Sequence, residues 1–346
     1  MPALPRASVL KLPKKMLLVS IFIWGISIAK VIGKAIDKIC LLVTLTFKSG
    51  IVAVLSIKSA KISYFATEMQ HVNPSFNIQA PGIDFEKALL FAEAGPMGVS
   101  VVVLDADNCF KAVVTYAFAA GLSDTELAEN IQLVCSSENL LQNQYRKTHI
   151  FWSFTESILV PAELMNADRN LNMLNLVFGD ARQGSIRSDF LNKHNLYNVY
   201  RLPDAIADIL ANHLPDATQT HLFSALVNRE LPEGNHLFTV FYSNSLTIML
   251  CKEGKLQVVQ NFTYNNADDC VFQLLNVCKG FDVEPNSTTL HINGMIDEKS
   301  GLYVAIYKYF LTIEFDKLPD EYTYSDEIKN YPPHFFSHLF ALASCV

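Results

Sequence analysis

The stretch Ala88-Leu-Leu-Phe-Ala-Glu-Ala-Gly-Pro-Met-Gly-Val-Ser-Val-Val-Val-Leu104, with Asp105-Ala-Asp-Asn108 and Cys109 to Phe118 after it, decides the fold. It reads as two β-rich runs around a Gly/Pro loop, an Asp/Asn turn, and a third run of Phe, Val, Thr and Tyr: a three-stranded meander. A divergent copy follows later. His236 to Tyr242, a Ser243-Asn244 turn, Ser245 to Leu250, a Lys252-Glu-Gly254 turn and Leu256 to Tyr264 repeat the pattern. Each meander leads into a capped helix. Ser123 and Glu126 form a capping box before Leu127, Ile131 and Val134, and Asn266 with Asp269 can play the same part before Val271, Leu275 and Cys278. Such a unit cannot bury its own sheet face, so two copies predict two sheets, each covered by helices.

Working outward, 346 residues with 50% hydrophobic and 18% charged content supply ample apolar material for one large or two moderate cores. Seven scattered cysteines, an odd total without a C-x-x-C pair, suit reduced core thiols better than disulfides or a zinc site. The net charge of -7 is unevenly spread. Residues 1–67 hold ten Lys/Arg against the single acid Asp37, leaving 17 basic and 33 acidic residues in the body. So acidic a body repels phosphate backbones, which argues against nucleic-acid binding.

The first 67 residues contain no Glu, Asn, Gln or His, although the body is rich in all four. The reading adopted is that residues 1–68 are not native coding sequence and that translation begins at Met69. The alternative is a signal-like or inner-membrane anchor through residues 16–29, basic at Lys11, Lys14 and Lys15, yet shorter than the roughly 18 residues a spanning helix needs. After Met69, Asn73-Pro74 and Pro81-Gly82 read as turns. Strands are expected at Thr148 to Ser153, Glu156 to Val160, Ser185 to Phe190, Tyr197 to Leu202, Thr289 to Gly294 and Leu311 to Phe315. Helices are expected at Pro161 to Met165, Asn170 to Phe178, from Pro203 at N1 to near Pro215, at His221 to Val227 and at Ser300 to Tyr309. An acidic linker, Asp316 to Asp326, precedes an amphipathic tail. The expected division is an extension 1–68, subdomain I at 69–216, subdomain II at 217–330, and a helical tail at 331–346 docking on the body.

Several segments resemble a known family: Leu140-Leu-Gln-Asn-Gln-Tyr145, Leu159-Val-Pro-Ala-Glu-Leu164, Tyr197-Asn-Val-Tyr-Arg-Leu-Pro203, Lys255 to Tyr264 with Asp269, and Leu290-His-Ile-Asn-Gly294 with Leu302-Tyr303 and Lys308-Tyr309. In that order they span about Pro74 to Cys345. They are similar to an uncharacterised domain-of-unknown-function family found mainly in Bacteroidetes, which itself resembles the actin/Hsp70/hexokinase (ASKHA) superfamily. The resemblance implies an α/β fold of duplicated actin-like (ribonuclease H-like) subdomains, mixed sheets flanked by helices. It also implies where Mg-ATP would sit. Each half would open with an Asp-x-Gly turn that places a carboxylate for the metal and N–H groups for phosphate, and a later Gly-Gly turn would hold adenosine. The first loop keeps Glu93, Gly95 and Gly98; the second, Phe241-Tyr-Ser-Asn-Ser245, has neither acid nor glycine; the adenosine-like turn has Asn293-Gly294, with Gly301 beyond.

Plainer readings stand beside these. Glu93 suits a solvated strand-edge charge, Gly95 and Gly98 suit the turn itself, and Asp105-x-Asp107 suits a hairpin. His149, His221 and His291 suit satisfied structural positions. Losing one side of the phosphate grip makes hydrolysis improbable. The expectation is therefore a cytoplasmic, non-enzymatic actin-like scaffold or interaction module with an unknown protein partner and no cofactor, by fold-level analogy with type IV pilus and type II secretion assembly proteins. The alternatives are an ATP-binding switch or weak ATPase using Glu93, Gly95 and Asn293-Gly294, and a membrane-tethered assembly component.

Overall fold

A computed structural model describes residues 72–345 apart from 181 and 182, and the backbone of four earlier strands. These are β1 (Leu17–Ile23), β2 (Ile26–Ile32), β3 (Leu41–Phe47) and β4 (Gly50–Ile57), an antiparallel meander in that order. Most of the expected anchor, residues 16–29, thus has its backbone in two strands. Its side chains, and the rest of residues 1–68 with the start-site expectation, lie outside the described residues. Among the described residues no helix is long and apolar enough to cross a membrane. Residues 70–346 form a compact unit of their own.

That unit holds two principal sheets. The first takes β5 (Phe76–Gln79), β6 (Leu89–Gly95), β7 (Gly98–Leu104) and β8 (Cys109–Ala117), then, beyond α1 (Asp124–Ser137), β9 (Lys147–Trp152). An insertion follows: β10 (Ser157–Pro161), α2 (Ala167–Phe178), β11 (Ser185–Leu191), β12 (Leu196–Leu202) and α3 (Asp204–His213). Then β13 (Thr218–His221) closes the first sheet, and α4 (Leu222–Val227) leads to the second: β14 (Asn235–Phe241), β15 (Ser245–Lys252), β16 (Lys255–Thr263), α5 (Ala267–Gly280), β17 (Thr289–Gly294), α6 (Gly301–Ile306) and β18 (Thr312–Phe315). The chain ends with β19 (Thr323–Tyr324), α7 (Asp326–Lys329) and α8 (Ser337–Ala341).

The strand orders are β13-β9-β6-β7-β8-β19, with β5 also on β8, and β16-β15-β14-β17-β18; β10-β12-β11 form a separate small sheet. Each meander is antiparallel, and β9 and β17 run parallel to β6 and β14. Counted from β6 and from β14, both sheets place their third, second, first, fourth and fifth strands side by side, with β5 and β19 added to the first. That is a duplicated unit with two sheets, as the two meanders lead one to expect.

The helices cover the sheets for the reasons the sequence gives. Ser123 accepts from the Glu126 amide at 3.3 Å while Glu126 accepts from the Ser123 amide at 2.9 Å, so α1 starts on a complete capping box. It buries Leu127, Ile131 and Val134 on the first sheet's valines, each worth roughly 1.5–3 kcal/mol of apolar burial. In α5 the reciprocal bond slips by one residue: Asn266 caps the Asp269 amide, but Asp269 accepts from Asn265. Pro203 is the N-cap of α3, not its first residue. The other face of the first sheet is covered by the tail: Phe336, Leu339, Phe340 and Leu342 pack with Phe91, Val102, Phe110 and Phe151.

Three short strands depart from the sequence reading. β5 lies in the turn-like approach, β19 in the acidic linker, and β13 just before a segment read as helix from His221. Since β13 and β19 both pair within the first sheet, sheet membership does not coincide with a division at 216/217. Polar residues here become strand by completing the hydrogen-bond ladder of a neighbour, which local composition does not encode.

Candidate functional site

The shared topology brings the first turn of each meander to the crevice between the sheets. Glu93 lies near the end of β6, and Tyr242 directly follows β14. The Tyr242 hydroxyl crosses the crevice and donates to Glu93 Oε1 at 2.8 Å. Tyr242 is itself held by the Tyr264 hydroxyl, which donates to its carbonyl at 2.7 Å. Glu93 is only 5% exposed, and its Oε2 accepts no hydrogen bond. Burial pushes its carboxyl above the ordinary range, with the Tyr242 bond and the nearby Ser153 hydroxyl offsetting part of the shift. Burial and the neighbouring Glu93 also push the Tyr242 phenol well up, so it remains a donor.

The turn glycines answer to packing. A Cβ on Gly95 would stand 2.3 Å from Ser153 Oγ, and one on Gly98 would stand 1.8 Å from the Tyr116 carbonyl oxygen. Gly294, at φ 84°, would place its Cβ 2.2 Å from the Phe241 carbonyl oxygen. That oxygen already accepts the Met295 amide at 2.7 Å, so the close approach of the two strand ends requires glycine. Gly301 opens α6 with no neighbour crowding it.

Asn293 faces the tail. Its Oδ1 accepts from Ser337 Oγ at 2.6 Å and from the His338 amide at 3.0 Å, and its Nδ2 donates to Asp316. Burial raises the Asp316 carboxyl, and the Asn293 bond offsets part of that shift. His338 is held neutral by burial, its pKa lowered to about 3, with Nδ1 buried and unpartnered. Its side chain lines two cavities. One, of about 290 Å³, takes in Glu93, Gly98, Tyr242 and Asn244; the other, of about 280 Å³, takes in Asn293, Asp316, Arg229 and Lys317. The structure thus sets Glu93 and Gly98 at one cavity and Asn293 at the other, while Gly95, Gly294 and Gly301 line neither.

The remaining polar residues follow the plainer readings. Asp105 Oδ1 accepts the amides of Asp107 and Cys109, both at 2.9 Å, which is a hairpin turn. His221 caps α4, accepting from the Phe223 amide at 3.1 Å and donating to the Phe154 carbonyl at 2.8 Å. His149 lies between the Thr218 and Thr220 hydroxyls, and His291 pairs with His236, each at 2.9 Å.

Mg-ATP does not fit the arrangement around Glu93. The acid already takes a hydrogen bond from the opposite turn, that turn offers no second carboxylate, and no Lys or Arg among the described residues lines the adjoining cavity. Sequence reasoning named Glu93 and Asn293 but missed Tyr242, Ser337, His338 and Asp316. The sequence marked Tyr242 only as part of a second loop that has neither acid nor glycine.

A family model described as protein of unknown function (DUF3822) matches residues 84–313. No curated protein matches the chain. Among solved structures, a Bacteroides thetaiotaomicron protein with an actin-like ATPase fold and unknown function is similar, with a TM-score of 0.61 and 16% identity over 77% of this chain and 100% of that one. The PilM-PilN type IV pilus biogenesis complex gives a TM-score of 0.50 and 13% identity over 74% of this chain and 97% of that one. The ethanolamine utilization protein EutJ from Carboxydothermus hydrogenoformans gives 0.42 and 10% identity, covering 78% and 93%. At such identities the likeness shows the fold, which is actin-like.

Proposed function

The chain belongs to the family of proteins of unknown function DUF3822, and we propose that it is a non-enzymatic interaction module built on an actin-like fold. The observation that carries this reading is the Tyr242–Glu93 bridge, which commits the one crevice acid in the first turn to the facing turn. Phosphoryl transfer needs its developing charge neutralised from both sides. Here one side contributes a tyrosine. The inserted segment also carries exposed apolar side chains suited to protein contacts, Leu164, Leu176, Val177 and Phe190 among them. A neighbour of the same fold belongs to the PilM-PilN type IV pilus biogenesis complex, which fits an assembly role. The six described cysteines are all free, in keeping with a reducing, cytoplasmic setting for the body.

Calorimetric titration of the full chain with Mg-ATP tests the reading. No binding tighter than about 1 mM is expected. Micromolar binding that is abolished by Glu93→Ala would instead establish the nucleotide switch. Affinity capture from native cells, followed by reconstitution with the purified candidate, then identifies the partner.

A further inference from the structure

We propose that the cavity beside Glu93 is a binding site for a primary ammonium group carried on a small apolar body. This goes beyond the interaction reading, because such a site could serve a scaffold or a switch alike. Glu93 is more than nine-tenths buried and lines the cavity; its Oε2 has no partner at full hydrogen-bond geometry, and the nearby Ser153 hydroxyl offsets the burial of the carboxyl only in part. Burying an acceptor without a partner is costly, and a ligand donor at that oxygen removes the cost. His338, equally buried and with Nδ1 unpartnered, stands on the same cavity.

The lining selects the sign of the ligand. Among the described residues it contains no Lys or Arg, and Glu93 is its one acidic side chain. A phosphate or carboxylate placed there would face that acid with no countercharge. An ammonium would supply the missing donor, with two further protons available to the Ser100, Thr115 and Ser243 hydroxyls or to Asn244. The walls are apolar: Phe76, Met97, Phe118, Phe241, Met295 and Leu339. The cavity of about 290 Å³ amounts to about ten water-sized volumes, at the lower end of ligand pockets. It therefore suits one aromatic or short aliphatic amine.

The test titrates the full chain with three probes of like shape: 2-phenylethylammonium, 2-phenylethanol and phenylacetate. The ammonium is expected to bind at least about tenfold more tightly than the alcohol, because its hydrogen bond to Glu93 is charge-assisted, and phenylacetate is expected to bind weakest. Glu93→Gln should bring the ammonium down to the alcohol's affinity, and Met97→Trp, which fills the cavity from its rim, should weaken both. The proposal is overturned if no probe saturates and the cavity holds water alone, if ammonium and alcohol bind equally, if phenylacetate binds best, or if folded Glu93→Gln keeps the preference. Should Glu93→Gln melt, the wild-type ranking and the Met97→Trp loss decide. Mg-ATP is run separately. Its binding would refute the interaction reading, and only displacement of the ammonium by it would count against this site.

Discussion

Replacing Asn293 by alanine should release the tail from the crevice. The side chain is 5% exposed and makes three hydrogen bonds, to Ser337 Oγ, to the His338 amide and to Asp316. After truncation the Ser337 hydroxyl can rotate to another acceptor, but the His338 N–H is fixed by the backbone and is left buried. That orphan costs about 1–3 kcal/mol, and Asp316 loses a donor to a half-buried carboxyl, worth less than the roughly 1.5–3 kcal/mol of a fully buried one. Water entering from the 280 Å³ cavity restores part of this, so about 2–4 kcal/mol is expected in all. Because the bonds tie a short terminal segment to the body, the loss should appear as local opening. Hydrogen exchange is the assay. Amide protection at His338, Leu339 and Phe340 should fall by about thirtyfold to several hundredfold, while the α5 amides stay unchanged. Unchanged protection at His338, or an equal loss in α5, would refute the reasoning.

Three further outcomes follow from the same geometry. The Glu93 carboxyl is raised in the folded chain, so its contribution to stability is fullest at low pH and is lost as pH rises through its folded value; the melting temperature of Glu93→Gln should therefore gain on wild type as pH rises above the ordinary value of 4.5, and a constant difference would count against a buried, shifted acid. Burial lowers the His221 imidazole to about 4, so the unfolded chain binds the extra proton first and stability should fall as pH drops from about 6.5 towards 4. A ring resonance titrating near 6.5 in the folded protein would contradict this. Gly294→Ala, forced against the Phe241 carbonyl at positive φ, should cost at least about 2 kcal/mol in denaturant melts, whereas Gly301→Ala at an uncrowded helix start should be neutral or stabilise by up to about 1 kcal/mol; equal effects would refute the packing account.

The architecture was legible because it rests on local signals. The valine-rich runs, the Asp105 turn and the Ser123 box each act over a few residues, and the resulting order of elements distinguishes a duplicated unit from a single sheet. The site was legible by half. Glu93 and Asn293 stand out beside their turns, but their partners are remote: Tyr242 reaches Glu93 across 149 positions, and the His338 amide reaches Asn293 across 45. No periodicity or spacing in one sequence encodes such contacts. The same holds for β13, where Thr218-Gln-Thr-His221 carries no apolar alternation and becomes a strand through its parallel pairing with His149 to Trp152.

The duplicated unit is not used symmetrically, and the asymmetry bears on function. Between its fourth and fifth strands the first half inserts a small sheet and two helices, where the second has α6 alone. The chain then leaves the second sheet, returns to the first through β19, and buries Phe336 and Phe340 there while Ser337 and His338 hold Asn293. One short segment thus grips both halves, and Tyr242–Glu93 ties them a second time. Opening the crevice would have to break both ties and expose aromatic side chains now fully buried, whereas a nucleotide switch needs two states within a few kcal/mol of each other. This favours a body that stays closed and works through its outer surfaces and small cavities. It also makes a specific demand: a partner or amine that acts through this crevice must bind it closed, leaving hydrogen-exchange protection at His338 no lower in the complex than in the free chain.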